Sequence, residues 1–194
     1  MLSAGSCIEW LCSIGLLSSP EQSAEVAAHA SDSGGVFFVP ALSGLGTPEW
    51  DFGARGLLIG LESATSREQI VYAVLEGIAQ RTLDLVLAIE RDAAIEIEEL
   101  RVDGGMSRNS TFVQLVANAI GRPVLVSKER EATTLGAGLL AGSAIGLWGS
   151  LEDAVGTIPT PTVVEPTRHL DRDRWLVAKT RAAGVVPALS LLKF

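Results

Sequence analysis

"LRVDGGMSRNS", residues 100–110, joins an apolar run that reads as a strand to a stretch that reads as a helix, with two adjacent glycines between them. Glycine is costly inside regular structure. A pair at such a junction marks a sharp turn, or a backbone that something must approach closely. From spacing alone, two readings stand. In one, Gly105 takes positive φ in a tight turn and Asn109 caps the following helix. In the other, Gly104 and Gly105 leave a bare shelf for a flat ring or a sugar, outside the carboxyl end of a strand, where open α/β sheets bind ligands.

The flanking sequence sets the frame. "NSTFVQLVANAIG" puts Phe112, Val113, Val116 and Ile120 on one helical face and ends on Gly121 as C-cap. "PVLVS" then reads as a strand and "EATTLGAGLLAGSAIGLW" as a helix of small residues. Upstream, "VFFVPAL" (36–42) is a buried strand ended by Pro40, "SGLGTPEWDFGARG" (43–56) a glycine-rich loop and "LLIGLES" (57–63) a second strand. The clearest helix follows. Val71, Val74, Leu75, Ile78, Leu85, Val86 and Ile89 step by threes and fours, with Thr82 filling the gap. Ser66 and Gln69 form a capping box at its start, and it runs to about Asp92.

Two short helices precede these elements. Residues 5–17 place Ile8, Leu11, Cys12 and Leu16 on one face, and residues 20–30 open with Pro20, Glu21 and Glu25. After the small-residue helix, "SLEDAV" reads as a helical turn or two, "PTPTVVEP" as an extended linker, and the chain end begins helical. From residue 36 the order is strand, strand, long helix, strand, helix, strand, helix. That alternation predicts an α/β fold, a sheet covered by helices.

Composition narrows the function classes. The 194 residues are 47% hydrophobic and only 5% aromatic, so the core is built from Leu, Val, Ile and Ala. The formal net charge is −8 and no run of Lys or Arg occurs, which argues against nucleic acid and membrane surfaces as partners. Backbone N–H groups can still hold phosphate without net positive charge. Cys7 and Cys12 have no clustered histidine and read as reduced thiols of a cytoplasmic protein. His29 and His169 lie in no metal motif and read as surface or packed side chains. The start, "MLSAGSCIEWLCSIGLL", lacks a basic region and carries Glu9 in its apolar stretch, unlike a secretory signal. Leu135–Gly149 repeats small residues at Gly138, Gly142 and Gly146, but its apolar run of about 14 residues is short of a membrane span. It reads as a buried helix with a close-packing face.

Several separate motifs, in order, carry a resemblance. "FFVPALSGLGTPEWDFGARGLLIGL" and "LRVDGGMSRNSTFVQLVANAIGRPVLVSKEREATTLGAGLLAGSAIGLW" resemble the FGGY carbohydrate kinase family. The wording "PALSGLGTPEWD..ARG" is closer to its glycerol kinase branch than to its pentose branches. The likeness runs from about Ala4 to about Ala183. It implies the C-terminal, nucleotide-binding lobe, with a ribonuclease-H-like fold of the actin and hexokinase type, a mixed sheet flanked by helices.

Carried over by the resemblance, Gly104 and Gly105 let the adenosine of ATP or ADP approach the backbone, and Asn109 hydrogen-bonds near the adenine. Gly5, in "AGSCIEWL", matches a family glycine near the nucleotide. Glu9 stands where family members often have Gln. It cannot donate a hydrogen bond as Gln does, and it adds negative charge near a polyphosphate. Thr133 and Thr134 read as helix caps. Gly136, Gly138 and Gly142 would let their helix pack tightly on the sheet behind the nucleotide. Asp51 and Arg55 read as a loop-ordering ion pair with Trp50 packed beneath.

The family's phosphate loop ("DxGT"), its sugar-binding residues and the catalytic Asp of its "GDQ"-like motif belong to the N-terminal lobe, and none of these patterns occurs here. The resemblance therefore implies a complete enzyme that transfers the γ-phosphate of MgATP to glycerol, with Mg²⁺ held mainly by the other lobe. This chain alone is expected to be inactive. An exposed, apolar interlobe face and a homo-oligomer are both compatible with that reading. The expected organisation is an N-terminal helical segment (1–33), a nucleotide-binding domain (34–156), and a linker with a C-terminal helix packing on it (157–194). Two alternatives stay open: a lobe of a xylulose-type or other sugar kinase, and a noncatalytic binding or oligomerisation module.

Overall fold

The computed structural model describes residues 4–129 and 131–192. In chain order, helices α1 (Ala4–Ser13) and α2 (Gln22–Ala28) precede strands β1 (Phe37–Val39) and β2 (Leu57–Ile59). The long helix α3 (Arg67–Ala93), strand β3 (Leu100–Val102), helix α4 (Ser110–Ile120), strand β4 (Val124–Val126) and helix α5 (Ala132–Ala144) follow. The chain closes with α6 (Leu151–Val155), β5 (Thr162–Val164), α7 (Arg172–Ala182) and α8 (Pro187–Ser190). The predicted α/β alternation is present.

The strands form two small sheets. β1 and β2 pair antiparallel, Phe37 opposite Ile59. In the second sheet β4 is central, parallel to β3 (Leu100 opposite Val124) and antiparallel to β5 (Val124 opposite Val164). The β5 strand lies in the stretch read as an extended linker. Its prolines stand outside the paired residues, so Thr162–Val164 can add an edge to the sheet.

Helix α3 is the axis of the molecule. The capping box holds: Gln69 N donates to Ser66 Oγ at 3.3 Å and Ser66 N donates to Gln69 Oε1 at 2.9 Å. Every residue from Val71 to Arg81 is buried, so this stretch is enclosed all round rather than along one stripe. Beyond it Ile89, expected in the stripe, is 51% exposed, while Arg81 and Asp84 are buried. The main core gathers Cys7, Ile8 and Leu11 of α1 with Val74, Leu75 and Ile78 of α3 and Val113, Val116 and Ile120 of α4. A second cluster sets Trp175 and Ala178 of α7 against Phe37 and Val39 of β1. Neither cysteine is in a disulfide. No helix among the described residues is long and apolar enough to cross a membrane.

Helix α5 departs from expectation. Only Leu139 and Gly142 of it are buried. Leu140 is 61% and Ile145 82% exposed. A Cβ at Gly136 or Gly138 would meet nothing, and one at Gly142 would strike the Trp148 ring rather than the sheet. These glycines do not press the helix onto the sheet. Thr133 and Thr134 are exposed within the helix and do not cap it, since Glu131 is the N-cap and makes no side-chain bond.

The 43–56 loop is ordered, but not by the expected ion pair. Asp51 Oδ1 accepts from Gly53 N (2.9 Å), Ala54 N (3.1 Å) and Ser190 Oγ (2.5 Å), and Asp51 Oδ2 accepts from Gly184 N (2.8 Å). Arg55 donates to the carbonyls of Phe52 and Ala54. Backbone groups, with the Ser190 hydroxyl, thus take up both side chains. Trp50 is 55% exposed, not packed beneath the loop.

Candidate functional site

The junction after β3 builds the site. The chain leaves the strand at Val102, turns at Gly104, makes one 3₁₀ turn over Met106–Arg108, and enters α4 at Asn109. The positive φ expected at Gly105 belongs instead to Gly104, at 82°. Gly105 has φ −60° and ψ −47°, ordinary right-handed helical values that any residue adopts. The tight turn therefore requires one glycine of the pair, and the other is left without a backbone reason.

Packing gives Gly105 no reason either. A Cβ built there has no protein atom within 4 Å, and the same holds at Gly5 in the exposed first turn of α1. Glycine in a helix costs about 1 kcal/mol relative to alanine. Gly5 and Gly105 line one cleft of about 400 Å³, together with Glu9, Pro20, Arg108 and Asn109. Four of the five residues singled out from sequence thus meet at one surface. Gly104 stands next to it, shaping the turn rather than lining the cleft.

Asn109 is 8% exposed and holds the cleft together. Its Oδ1 accepts from Phe112 N at 2.8 Å, the expected helix cap. Its Nδ2 donates to Ser23 Oγ at 3.0 Å, and Ser23 Oγ donates to Pro20 O at 2.6 Å. That chain pins α2 to the start of α4 across 86 residues of sequence. An amide NH₂ has two hydrogens, so one donor remains for a ligand.

Charge in the cleft is mixed. Glu9 is exposed on α1. The Glu21 carboxyl is held below the usual range, mainly by a hydrogen bond from Ser19 and its own backbone N–H, with Arg108 nearby adding attraction. Arg108, Ser23, Pro20 and Glu21 were not singled out from sequence. The "SRN" triplet beside the glycines was the available signal for Arg108, while the α2 residues reach the cleft only through the fold. No group of three or more His, Cys, Asp or Glu side chains that could hold a metal occurs among the described residues.

Comparison with known proteins gives the family. Residues 1–145 match the C-terminal domain of the FGGY family of carbohydrate kinases. The chain belongs to that family. It is 41% identical over 186 residues to glycerol kinase 2 of Thermotoga maritima, covering 93% of this chain and 38% of that protein. It is 42% identical over 190 residues to the glycerol kinase of Aromatoleum aromaticum, covering 95% of this chain and 38% of that protein. Among solved structures it resembles Plasmodium falciparum glycerol kinase with ADP, at 33% identity and a TM-score of 0.79 over 98% of this chain and 38% of that one. It also resembles the ligand-bound xylulose kinase of Lactobacillus acidophilus, at 26% identity and a TM-score of 0.71 over 96% of this chain and 38% of that one. The chain thus spans less than two fifths of the length of these relatives, and its fold is the ribonuclease-H-like lobe of such kinases.

Proposed function

We propose that this chain is the nucleotide-binding lobe of an ATP-dependent glycerol kinase, and that the cleft between Gly5 and Gly105 receives the adenosine of ATP or ADP. One observation carries the reading. Two glycines on separate elements face one cleft, and neither is demanded by backbone or packing. A side-chain-free wall on both sides suits a flat, rigid group that needs close approach. In this reading Gly104 shapes the shelf, Asn109 offers its remaining amide hydrogen, and Glu9 keeps the polyphosphate on the far side of the nucleoside. The ADP named with the Plasmodium kinase supports a nucleotide as the ligand, and the glycerol kinases at about 40% identity favour glycerol over a pentose.

Phosphoryl transfer needs positioned phosphates, metal ions and a base for the attacking hydroxyl. In this reading Mg²⁺ and the catalytic carboxylate belong to the remainder of the kinase, as the resemblance implies. The same remainder would cover the exposed apolar patch formed by Leu140 of α5 with Ile145 and Leu147 in the turn after it. The lobe itself would divide into an N-terminal helical segment (1–33), the nucleotide-binding domain (34–156) and the C-terminal segment (157–194). A cytoplasmic enzyme fits the reduced thiols.

Calorimetric titration with ADP tests the reading. The chain should bind ADP more weakly than a two-lobed kinase, because phosphate contacts and closure are missing. Gly105→Val should abolish the heat while the fold is retained. Absence of ADP binding by the folded chain would sink the proposal. Turnover of glycerol with MgATP that tracks the purified chain would overturn the assignment of the catalytic groups to the remainder of the kinase. An immunoblot of source cells decides the context: a native mass well over twice 20.4 kDa supports a two-lobed kinase, and a band at 20.4 kDa points to a separate partner chain.

A further inference from the structure

A second cleft, of about 350 Å³, shares no lining residue with the first. It lies between α3, α4 and the segment running from β5 into α7, and Tyr72, Gln114, Asn118, Thr167 and Arg168 line it. No carboxylate lines it, although the chain carries a net charge of −8.

Asn118 is the unusual group. It is 4% exposed. Its Oδ1 accepts from Thr167 N (2.8 Å), Gln114 Nε2 (3.2 Å), Thr167 Oγ1 (3.3 Å) and Arg168 N (3.4 Å). All of these donors converge on the carbonyl oxygen. Among the described residues no acceptor meets its Nδ2, so two amide hydrogens are available to a ligand at the cleft wall.

Two further donors stand beside it. Arg168 donates through Nη2 to the Tyr72 hydroxyl, and its guanidinium carbon sits 5.8 Å from the Tyr72 ring centre. That leaves most of the five guanidinium hydrogens uncommitted. The Tyr72 oxygen accepts from Arg168 and keeps its own hydrogen to give. Glu76, Asp32 and Asp171 collect around the neighbouring cleft, which Arg168 also borders, so the guanidinium divides an acidic surface from a donor-rich one.

We infer that this cleft binds a small oxyanion, the phosphate or carboxylate of a metabolite, held by Arg168, Asn118 Nδ2 and the Tyr72 hydroxyl. The three donors come from three elements: the segment before α7, α4 and α3. Occupancy would clamp that segment to α3 and α4. The inference is independent of the nucleotide reading, because it uses none of that cleft's residues.

The test is a two-dimensional ¹H–¹⁵N titration of the full chain, with inorganic phosphate and with acetate in separate series, at constant ionic strength set with chloride. Saturable millimolar shifts of the Asn118 side-chain NH₂ and of the amides of Thr167 and Arg168 are expected in at least one series. The series that saturates identifies phosphate or carboxylate as the class. The shifts should vanish in Arg168→Gln, an exposed position, and in Asn118→Asp, which keeps the acceptor for Thr167 and removes the donor. They should persist in Arg108→Gln, which alters only the nucleotide cleft. Linear drift in both series, or saturation unchanged in Arg168→Gln, would overturn the inference. Dispersed signals from the core report in the same spectra that each variant is folded.

Discussion

Arg81 Nη1 donates to Glu49 Oε2 at 2.6 Å, although the two residues stand 32 apart in the chain. The same nitrogen donates to Asp84 Oδ2 at 2.5 Å. Lys179 closes the figure, 2.6 Å from Glu49 and 3.0 Å from Asp84, and Arg172 also bonds Asp84. The network ties the 43–56 loop to α3 and α7. Arg81 is 2% exposed, so its removal takes a buried donor from Glu49, Asp84 and the Thr47 carbonyl, while Lys179 and Arg172 still balance the two carboxylates. Losing such buried, charge-assisted hydrogen bonds costs about 1–3 kcal/mol. Arg81→Met should lower the urea midpoint accordingly. Arg101→Met, which removes an exposed pair with Glu99, should leave it unchanged.

The two glycines after β3 should respond oppositely to alanine. Gly104 has φ 82°, so Gly104→Ala should destabilise the fold by about 1–2 kcal/mol. Gly105 has helical angles and open space, so Gly105→Ala should hold stability or raise it by up to about 1 kcal/mol. If the cleft takes adenosine, Gly105→Ala should also weaken ADP binding about tenfold, a loss near 1.4 kcal/mol. Thermal unfolding and calorimetry on the two variants read both effects.

Glu76 makes stability depend on pH. Burial pushes its carboxyl up to about 7 from an ordinary 4.5, against the attraction of Arg168 and a hydrogen bond from Ser33. The folded state therefore holds this proton more tightly than the unfolded state. Its effect is nil below the unfolded value; stability falls as pH rises from about 4.5 to about 7 and then levels off. Glu76→Gln escapes that fall. Above neutral pH the variant should be the more stable, by on the order of 3 kcal/mol, and at pH 4 the two should coincide to within about 0.5 kcal/mol. Urea unfolding across this pH range measures the divergence.

Thiol reactivity should separate the cysteines. Cys7 has no exposed surface, and burial pushes its thiol up to about 12. Cys12 is half-buried at the end of the same helix. Ellman's reagent at mildly alkaline pH should titrate one equivalent quickly, and the second only as the protein unfolds. Two fast equivalents in native buffer would show that α1 does not pack as described.

The exposed face of α5 should govern self-association. Ile145→Glu and Leu140→Glu lie at 82% and 61% exposed positions and should leave unfolding unchanged. Both should reduce aggregation of the isolated chain, as read by light scattering at increasing concentration. In a complete kinase the same substitutions should impair activity, because the remainder of the polypeptide would cover this face.

Some local signals were legible in the sequence, though not the Gly104–Gly105 turn, the partners of Asp51 and Arg55, or the cap of α5. The Ser66–Gln69 capping box, the Asn109 cap and Gly121 as a left-handed stop all depend on neighbours three or four residues away, and all stand as read. Five site residues were named from sequence by resemblance; four of them line the cleft, and Gly104 shapes the turn beside it. Only tertiary structure assigned the positive φ to Gly104, leaving Gly105 free of any internal duty. It also enclosed the Val71–Arg81 stretch of α3 on every side, turned α5 outward and paired Glu49 with Arg81 instead of Asp51 with Arg55. Sequence periodicity records which residues prefer a shared face, but not what is there to cover it. Burial, orphaned donors and charge partners arise from contacts between distant segments, and those exist only once the chain has packed.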